Sequence, residues 1–518
     1  MQYLVLIAPI ALVTPYLAGR VWYALFRDTM SANATQRIAK NSALPLVASL
    51  GNKIVDFGFA VVILRLLGPE GIGKYTVASV LALYFEIVTG FGLDTLLTRE
   101  AAKRWDDANR ILNATVLLRL VLWLAVAPFL LAALLIWNAI QPLGSDLIGA
   151  VALLVLATIP SHVSSALSRL FSASERLDIP ALVTVGTTIC KVVLGLSALF
   201  LGWGIVGLAG VAGITNLATL VALYLLVREI LFRPRLAPNW VASRALIGSS
   251  YPLMLNNLLA IVFFRFDVIL LQALAGATVV GWYGTAYKFV DALLILPSTF
   301  TFAVFPLLSR YAGSSRAALA EAYDLGVRYL TILGLGAAAG LFAVAPGVIN
   351  LFADDRYLPH SAYALQLLVW FLPLSFVNGL TQYVVIAVDR QRAITSAFAL
   401  AAIFNLGANV VLIPLLPGYG YLGAALVTVL SELVLFIPFV GALRQEVALP
   451  RFLRHALRPA LAGAAVVAVL WPLREASLLL TIPLGGIIYL TALFLLGELG
   501  ATDRKIARQL VGRKTEDG

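Results

Sequence analysis

GIGKYTVASVLALYFEIV at 71–88 and VVGWYGTAYKFVDALLIL at 279–296 read as one segment written twice. At an offset of 208, Gly73 matches Gly281, Tyr75 matches Tyr283 and Ala78 matches Ala286. Further along, SASERLDIPA (172–181) pairs with AVDRQRAITS (387–396), and an acid–arginine pair, Glu175-Arg176 or Asp389-Arg390, ends a hydrophobic span in each. GWGIVGLAG (202–210) then parallels GYGYLGAAL (418–426). Three matches in the same order describe a duplicated chain. The halves are 41–230 and 248–443, joined by a basic cytoplasmic linker at 231–247.

Composition says what the halves are made of. The chain has 518 residues, 61% hydrophobic and only 12% charged, with a mean hydropathy of +0.95. Soluble domains carry about a quarter charged residues, so this is a polytopic membrane protein. The expected fold class is all-α. Apolar stretches long enough to span a bilayer fall at 43–66, 74–97, 111–136, 147–168, 180–201, 204–227, 248–275, 280–309, 326–351, 361–388, 393–415, 420–443, 459–472 and 478–499. That gives fourteen core spans: two six-helix lobes, then an appended pair, helices 13 and 14, within 444–500.

The basic residues fix the orientation. Of 37 lysines and arginines, 27 fall in one alternate set of connections and 4 in the other. Cytoplasmic loops hold the excess of Lys and Arg, so both ends of the fourteen-span core are expected to be cytoplasmic, in the cytoplasmic (inner) membrane. The same rule accounts for the net charge of +11, and no nucleic-acid partner is implied. Six spans per half is an even number, so the halves share one orientation. Such parallel repeats are related by an axis along the membrane normal, and the substrate path is expected between them.

The ends stand outside this plan. Residues 1–40 comprise an extra hydrophobic segment and a cytoplasmic lead-in, and 501–518 is a basic cytoplasmic tail. The stretch 3–26 reads as a peripheral extra helix or as residues ahead of a start at Met30. Cys190 is alone, so no intrachain disulfide can form. His162, His360 and His455 lie far apart without metal-ligand spacing, and no cofactor is expected.

Charges inside the spans are the functional signal. IVFFRFDVILLQAL (261–274) places Arg265 and Asp267 within hydrocarbon. At 1.5 Å per residue, Arg265, Asp56, Lys191 and Asp291 all lie roughly 15 Å from the outer ends of their helices. Lys53, Glu86, Asp267 and Lys288 lie within about 8 Å of that level, and Arg119 sits nearer the cytoplasm. A charge at mid-bilayer costs a few kcal/mol at the least, so these groups must face one another or water. Lys53 with Asp56 and Lys288 with Asp291 are i,i+3 and share a helix face. Arg265 and Asp267 point to nearly opposite sides, so Arg265 needs a partner from another helix. Asp291 is at the right depth. Either these are static ion pairs between helices or they line a substrate path.

Other groups read more blandly. Arg65, Asp94 and Arg169 at helix ends suggest snorkelling or capping. Asn52, Asn256, Asn257, Asn378, Gln382, Asn405 and Asn409 suggest interhelical glue. Gly336 and Gly340 suggest close packing, and Pro252, Pro297, Pro306, Pro373 and Pro414 suggest kinks. No phosphate-cradling glycine loop and no HExxH cluster appears. The outer loops are about ten residues at most, too short for an enzyme pocket built around Asp354-Asp355. An enzyme is not expected.

LRLLGPEGIGKYTVAS (64–79), GFGLDTLLTREAAK (90–103) and RFDVILLQALAGATVVGWYGTAYKFVDALLILPSTFTFAVFPLLSRYA (265–312) resemble signatures of the polysaccharide/O-antigen flippase family. That family belongs to the multidrug, oligosaccharidyl-lipid and polysaccharide exporter superfamily. The resemblance covers about 41–500 and implies a V-shaped pair of lobes working by alternating access. It implies a polyprenyl-diphosphate-linked oligosaccharide as substrate, in contact with membrane lipid, with polysaccharide glycosyltransferases and a polymerase as partners. The appended helices would lie beside the lipid tail. Lys and Arg can replace the hydration of a diphosphate. Arg265, Lys288, Lys53 and Lys191 are therefore expected to line the cavity, with Arg119 nearer its entrance. Asp56, Asp267, Asp291 and Glu86 would tune those cations or carry a coupling H+ or Na+. Two alternatives share the architecture: a multidrug-and-toxin extrusion type exporter and a lipid II flippase. Four cations against four acids at mid-span do not separate them.

Overall fold

A computed structural model of the chain describes residues 12–21, 23, 34–235, 237, 240–473 and 476–500. The tail 501–518 and most of the segment ahead of 34 lie outside the described residues. Among those described, the regular structure is helical and there is no strand. Among the described residues, thirteen helices are long and apolar enough to cross a membrane. The first of them is two helices merged across Gly68, whose φ of 68° and ψ of 179° are not helical. Reading that break restores fourteen.

Packing divides the chain into two compact units, Met1–Ala273 and Leu274–Gly518. The first holds α1 (Ala34–Gly90), α2 (Leu93–Lys103), α3 (Ala108–Ile140), α4 (Ser145–Ala173), α5 (Asp178–Phe200), α6 (Gly204–Ile230) and nearly all of α7 (Trp240–Ala275). By its contacts α7 belongs with the first unit, although the sequence repeat makes it the head of the second half. The second unit holds α8 (Ala277–Leu293), α9 (Ile295–Ser314), α10 (Arg316–Phe352), α11 (His360–Leu368), α12 (Phe371–Ala387), α13 (Arg392–Leu415), α14 (Gly420–Leu443), α15 (Phe452–Leu470) and α16 (Leu478–Leu495).

The repeat is legible in the backbone. Gly68 and Gly276 both break a helical run with positive φ (68° and 88°) and extended ψ (179° and 172°). Glu175 and Asp389 both take left-handed φ, 58° and 60°, and Gly202 and Gly418 both have φ 77°. In each half the arginine after the left-handed acid donates its N–H back across the helix end. Arg176 reaches the Phe171 carbonyl at 2.8 Å and Arg390 the Val385 carbonyl at 3.0 Å. This closure satisfies carbonyls that a helix end leaves unpaired.

Several boundaries move from their sequence positions. The second span was placed to residue 97, but the helix stops at Gly90 because Phe91 and Gly92 are both left-handed. A side chain at Gly92 would strike Leu253 Cβ at 2.7 Å, so α7 passes close against this break. The spans at 280–309 and 361–388 are each interrupted, at Leu294 and at Val369–Trp370. Pro297 and Pro373 explain both, since a proline ring clashes with the carbonyl four residues earlier.

Small residues bring helices together, as expected where lipid removes the hydrophobic drive between helices. Within the second unit, Gly334 meets the Pro373 backbone, and a Cβ there would lie 2.8 Å from the proline Cα. Gly336 faces the Tyr489 ring at 2.6 Å by the same measure, while Gly340 faces open space. Tyr489 also donates its hydroxyl to the Ile332 carbonyl at 2.7 Å. The appended helices α15 and α16 therefore pack on α10. In the first unit, helical residues 12–21 lie against α5 and α6, with Pro15 on Gly186 and Gly19 on Leu226. Large apolar side chains such as Phe129 (77% exposed) and Leu479 (90%) point outward, where lipid takes the place of water.

Candidate functional site

In the first unit, Asp56 of α1 and Lys191 of α5 meet in a direct ion pair. The two residues lie 135 positions apart in sequence, and both remain partly exposed. Asp56 thus pairs across helices with Lys191, while its own-helix neighbour Lys53 is exposed. The pair gives each in-span charge a counter-charge from another helix.

A second cluster centres on Arg119 of α3, which is 2% exposed. Its Nη2 donates to Asp94 Oδ1 at 2.7 Å and its Nη1 to the His162 carbonyl at 2.8 Å. Ser165 donates to the same Asp94 oxygen at 2.7 Å, and Arg169 stands 3.7 Å from it. His162 Nε2 shares a 2.8 Å hydrogen bond with the Thr89 hydroxyl. Glu86 accepts from Ser161 at 3.1 Å and lies within electrostatic reach of Asp94 and Arg119. Arg119 is therefore closed inside the first unit, tying α2, α3 and α4 together. Asp94, read from sequence as a snorkelling or capping group, is instead the anchor of this network. The Arg119 Nε is buried and has no partner, so the cluster keeps one unfilled donor.

The third group is on α7. Asp267 is 2% exposed and accepts from the backbone N–H of Val268 at 2.8 Å. Arg265 is half-buried, and both charges act electrostatically on Tyr84. Tyr84 lies edge-on to Phe266 at 6.4 Å and bonds the Ile261 carbonyl at 3.4 Å, which holds α1 to α7. In the second unit, Lys288 and Asp291 are half-buried on α8. Arg265, Lys288, Asp267 and Asp291 are all engaged by neighbours.

The second unit contains a polar group that sequence reasoning missed. Glu432, at the middle of α14, is 1% exposed. Asn378 of α12 donates to its Oε2 at 2.5 Å and to its backbone carbonyl at 2.9 Å. Beside it, Asn405 of α13 donates to Ser431 at 3.1 Å, and Asn409 donates to Asn405. Glu432 Oε1, Asn378 Oδ1 and Asn409 Oδ1 are buried acceptors without a donor. The available signal was a lone carboxyl halfway along a 24-residue apolar helix. Asn378 and Asn405 do bridge helices, as the glue reading held. Among the described residues no three metal-ligating side chains converge.

Among the described residues, fourteen helices long and apolar enough to cross a membrane, with an ion pair between two of them, describe a multi-pass membrane protein. Comparison with known proteins narrows the class. The chain belongs to the polysaccharide biosynthesis protein family, whose model matches residues 38–312. The MatE family model matches 252–411. A putative O-antigen transporter of Shigella dysenteriae is 25% identical over 198 residues, 38% of this chain and 48% of that protein. The match thus spans about half of the relative's length. Among solved structures, the lipid II flippase MurJ in an inward closed conformation matches with a TM-score of 0.73 at 13% identity, covering 88% of this chain and 99% of that one. An inward-facing multidrug resistance MATE family transporter gives a TM-score of 0.59 at 15% identity, covering 80% and 98%. These likenesses establish the fold. The chain is a membrane flippase or transporter of the multidrug, oligosaccharidyl-lipid and polysaccharide exporter superfamily.

Proposed function

We propose that this protein flips a lipid-diphosphate-linked oligosaccharide across the cytoplasmic membrane by alternating access, for cell-surface polysaccharide synthesis. The observation that carries the reading is family membership over 38–312, a stretch that includes the in-span cations Lys53, Lys191, Arg265 and Lys288. A diphosphate leaves water only if cations replace its hydration. Guanidinium and ammonium groups do this, the former in two-point fashion. Arg265, Lys288, Lys53 and Lys191 take that role, and Arg119 braces the first unit at the cytoplasmic side. Asp56, Asp267, Asp291 and Glu86 set the charge state of those cations or carry a coupling H+ or Na+. Glu432 joins them, because its unfilled oxygen is buried beside that of Asn378. Both ends of the core face the cytoplasm, where glycosyltransferases supply the substrate, and a polymerase receives it outside.

Deleting the gene tests this. The expected result is loss of surface polysaccharide, with lipid-linked oligosaccharide accumulating on the cytoplasmic leaflet and drug susceptibility unchanged. The match of the MatE model to 252–411 favours, second, a cation-coupled drug exporter. On that reading drug susceptibility would rise and the glycan would stay. The MurJ-like fold keeps lipid II in view; rescue of cell-wall synthesis in a flippase-depleted strain would select it.

A further inference from the structure

The basic linker at 231–247 reads as a plain tether, yet its first part is fastened to the first unit. Asn109 and Asn113 stand four residues apart on α3 and so share one helix face. The Asn109 side chain accepts from the Arg235 backbone N–H at 3.0 Å and donates to the Arg235 carbonyl at 3.1 Å. Asn113 donates to that same carbonyl at 2.8 Å and accepts from the Ala237 N–H at 3.2 Å. The spacing explains the fit. Four residues of helix rise about 6 Å, and two residues of extended chain advance about 6.6 Å. Two asparagines at i,i+4 therefore meet alternate residues of an extended segment, as a neighbouring strand would. Pro234 biases Arg233 toward that extended backbone. A side-chain amide supplies donor and acceptor at once, whereas a carboxylate would lose the donor.

This strap is held on either side. Before it, Phe232 lies edge-on to Trp105 at 6.0 Å, just ahead of α3. After it, Ser243 in the first turn of α7 is fully buried and donates to the Ala114 carbonyl of α3 at 3.0 Å. The head of α7 is thereby fixed to the start of α3. The second half closes the same corner by other means. There Glu446, just past α14, accepts from Arg316, the first residue of α10, at 3.1 Å. That closure is ionic, and the one in the first half is made of neutral amides. All four of the amide hydrogen bonds are exposed, so water competes for each. Neutral bonds in water contribute little beyond the entropy cost of ordering the residues they hold, and segments held in this way open readily.

We propose that Asn109 and Asn113 form the catch of a releasable strap, which holds the head of α7 on the first unit when closed and opens in each transport cycle. The need to open rests on the alternating-access reading above. By the sequence repeat α7 begins the second half, and a head pinned to α3 cannot shift against the first half.

The full-length protein tests this in two altered forms. Asn109→Ala with Asn113→Ala frees the strap. Asn113→Cys with Ala237→Cys, in a Cys190→Ala background, lets a short bis-methanethiosulfonate reagent lock it reversibly. Trypsin reads the strap directly, because Arg235 precedes a leucine whereas Arg233 precedes a proline, which blocks cleavage. Cleavage after Arg235, scored by mass spectrometry, is expected to be slow in wild type, roughly tenfold faster in the alanine pair and absent in the locked protein. Flipping of a fluorescent polyprenyl-diphosphate oligosaccharide in proteoliposomes is expected to persist in the alanine pair. It should stop in the locked protein and return when reduction cuts the bridge. Flipping at the wild-type rate by the locked protein would overturn the proposal. So would wild-type cleavage as fast as that of the alanine pair, which means that nothing is strapped. Flipping lost equally in the alanine pair and the locked protein would also overturn it, since the strap would then be a fixed brace. A wild type that leaves the probe unflipped strikes the transport reading and with it the need to open, while the protease pattern by itself still decides whether the strap holds.

Discussion

Arg119 shows how much one contact can matter. Its guanidinium is 2% exposed and, among the described residues, its charge is answered at ion-pair distance by Asp94. Removing one partner of a buried pair strands the other charge, at about 3–5 kcal/mol. Asp94 keeps 34% of its side chain exposed, so water softens the loss. Asp94→Ala should therefore cost about 2–3 kcal/mol, read as a lowered melting temperature in detergent. Asp94→Asn, which keeps an acceptor, should cost less. Outside the spans, Glu446 accepts from Arg390 at 2.5 and 3.0 Å and from Arg316 at 3.1 Å. The hydrogen bonds from Arg390 hold its carboxyl below the usual range. A depressed carboxyl contributes stability that is present above its unfolded pKa and lost as pH falls through its folded value. Wild type should thus melt above Glu446→Gln at neutral pH, and the gap should close in acid below the ordinary glutamate range. Reading the chain placed such groups inside apolar spans but did not find their partners. That Asp56 belongs to Lys191 depends on two helices 135 residues apart lying side by side. Asp94 looked like a helix cap because it stands in a first turn, and its tertiary role appears only when α3 and α4 close on it.

At the scale of elements, the duplication was readable because both halves need the same backbone at the same places. Gly68 and Gly276 adopt positive φ with extended ψ, a region essentially reserved for glycine. Gly68→Ala and Gly276→Ala should each cost about 1–3 kcal/mol, and by similar amounts, in thermal unfolding. A large cost at one site and none at the other would mean that the two breaks are not equivalent. Helix interruptions were less legible. Pro297 and Pro373 announced kinks, but a kink and a full break look alike in sequence, since both follow from one lost hydrogen bond. Gly336 was rightly read as a packing glycine, yet its partner Tyr489 lies in an appended helix with no counterpart in the repeat.

For the molecule as a whole, membrane character, helix-only architecture and family were all in the sequence, because hydrocarbon thickness and backbone hydrogen bonding leave few solutions. The buried Glu432–Asn378 pair was not found, although a single acid inside an apolar helix is the kind of residue that marks an ion path. The central claim is that in-span cations of this family member handle an anionic lipid-linked glycan. The most direct measurement is surface polysaccharide in a deletion strain complemented with wild type or Arg265→Ala at equal membrane abundance. The account predicts that wild type restores the glycan and Arg265→Ala does not. Full restoration by Arg265→Ala would contradict it.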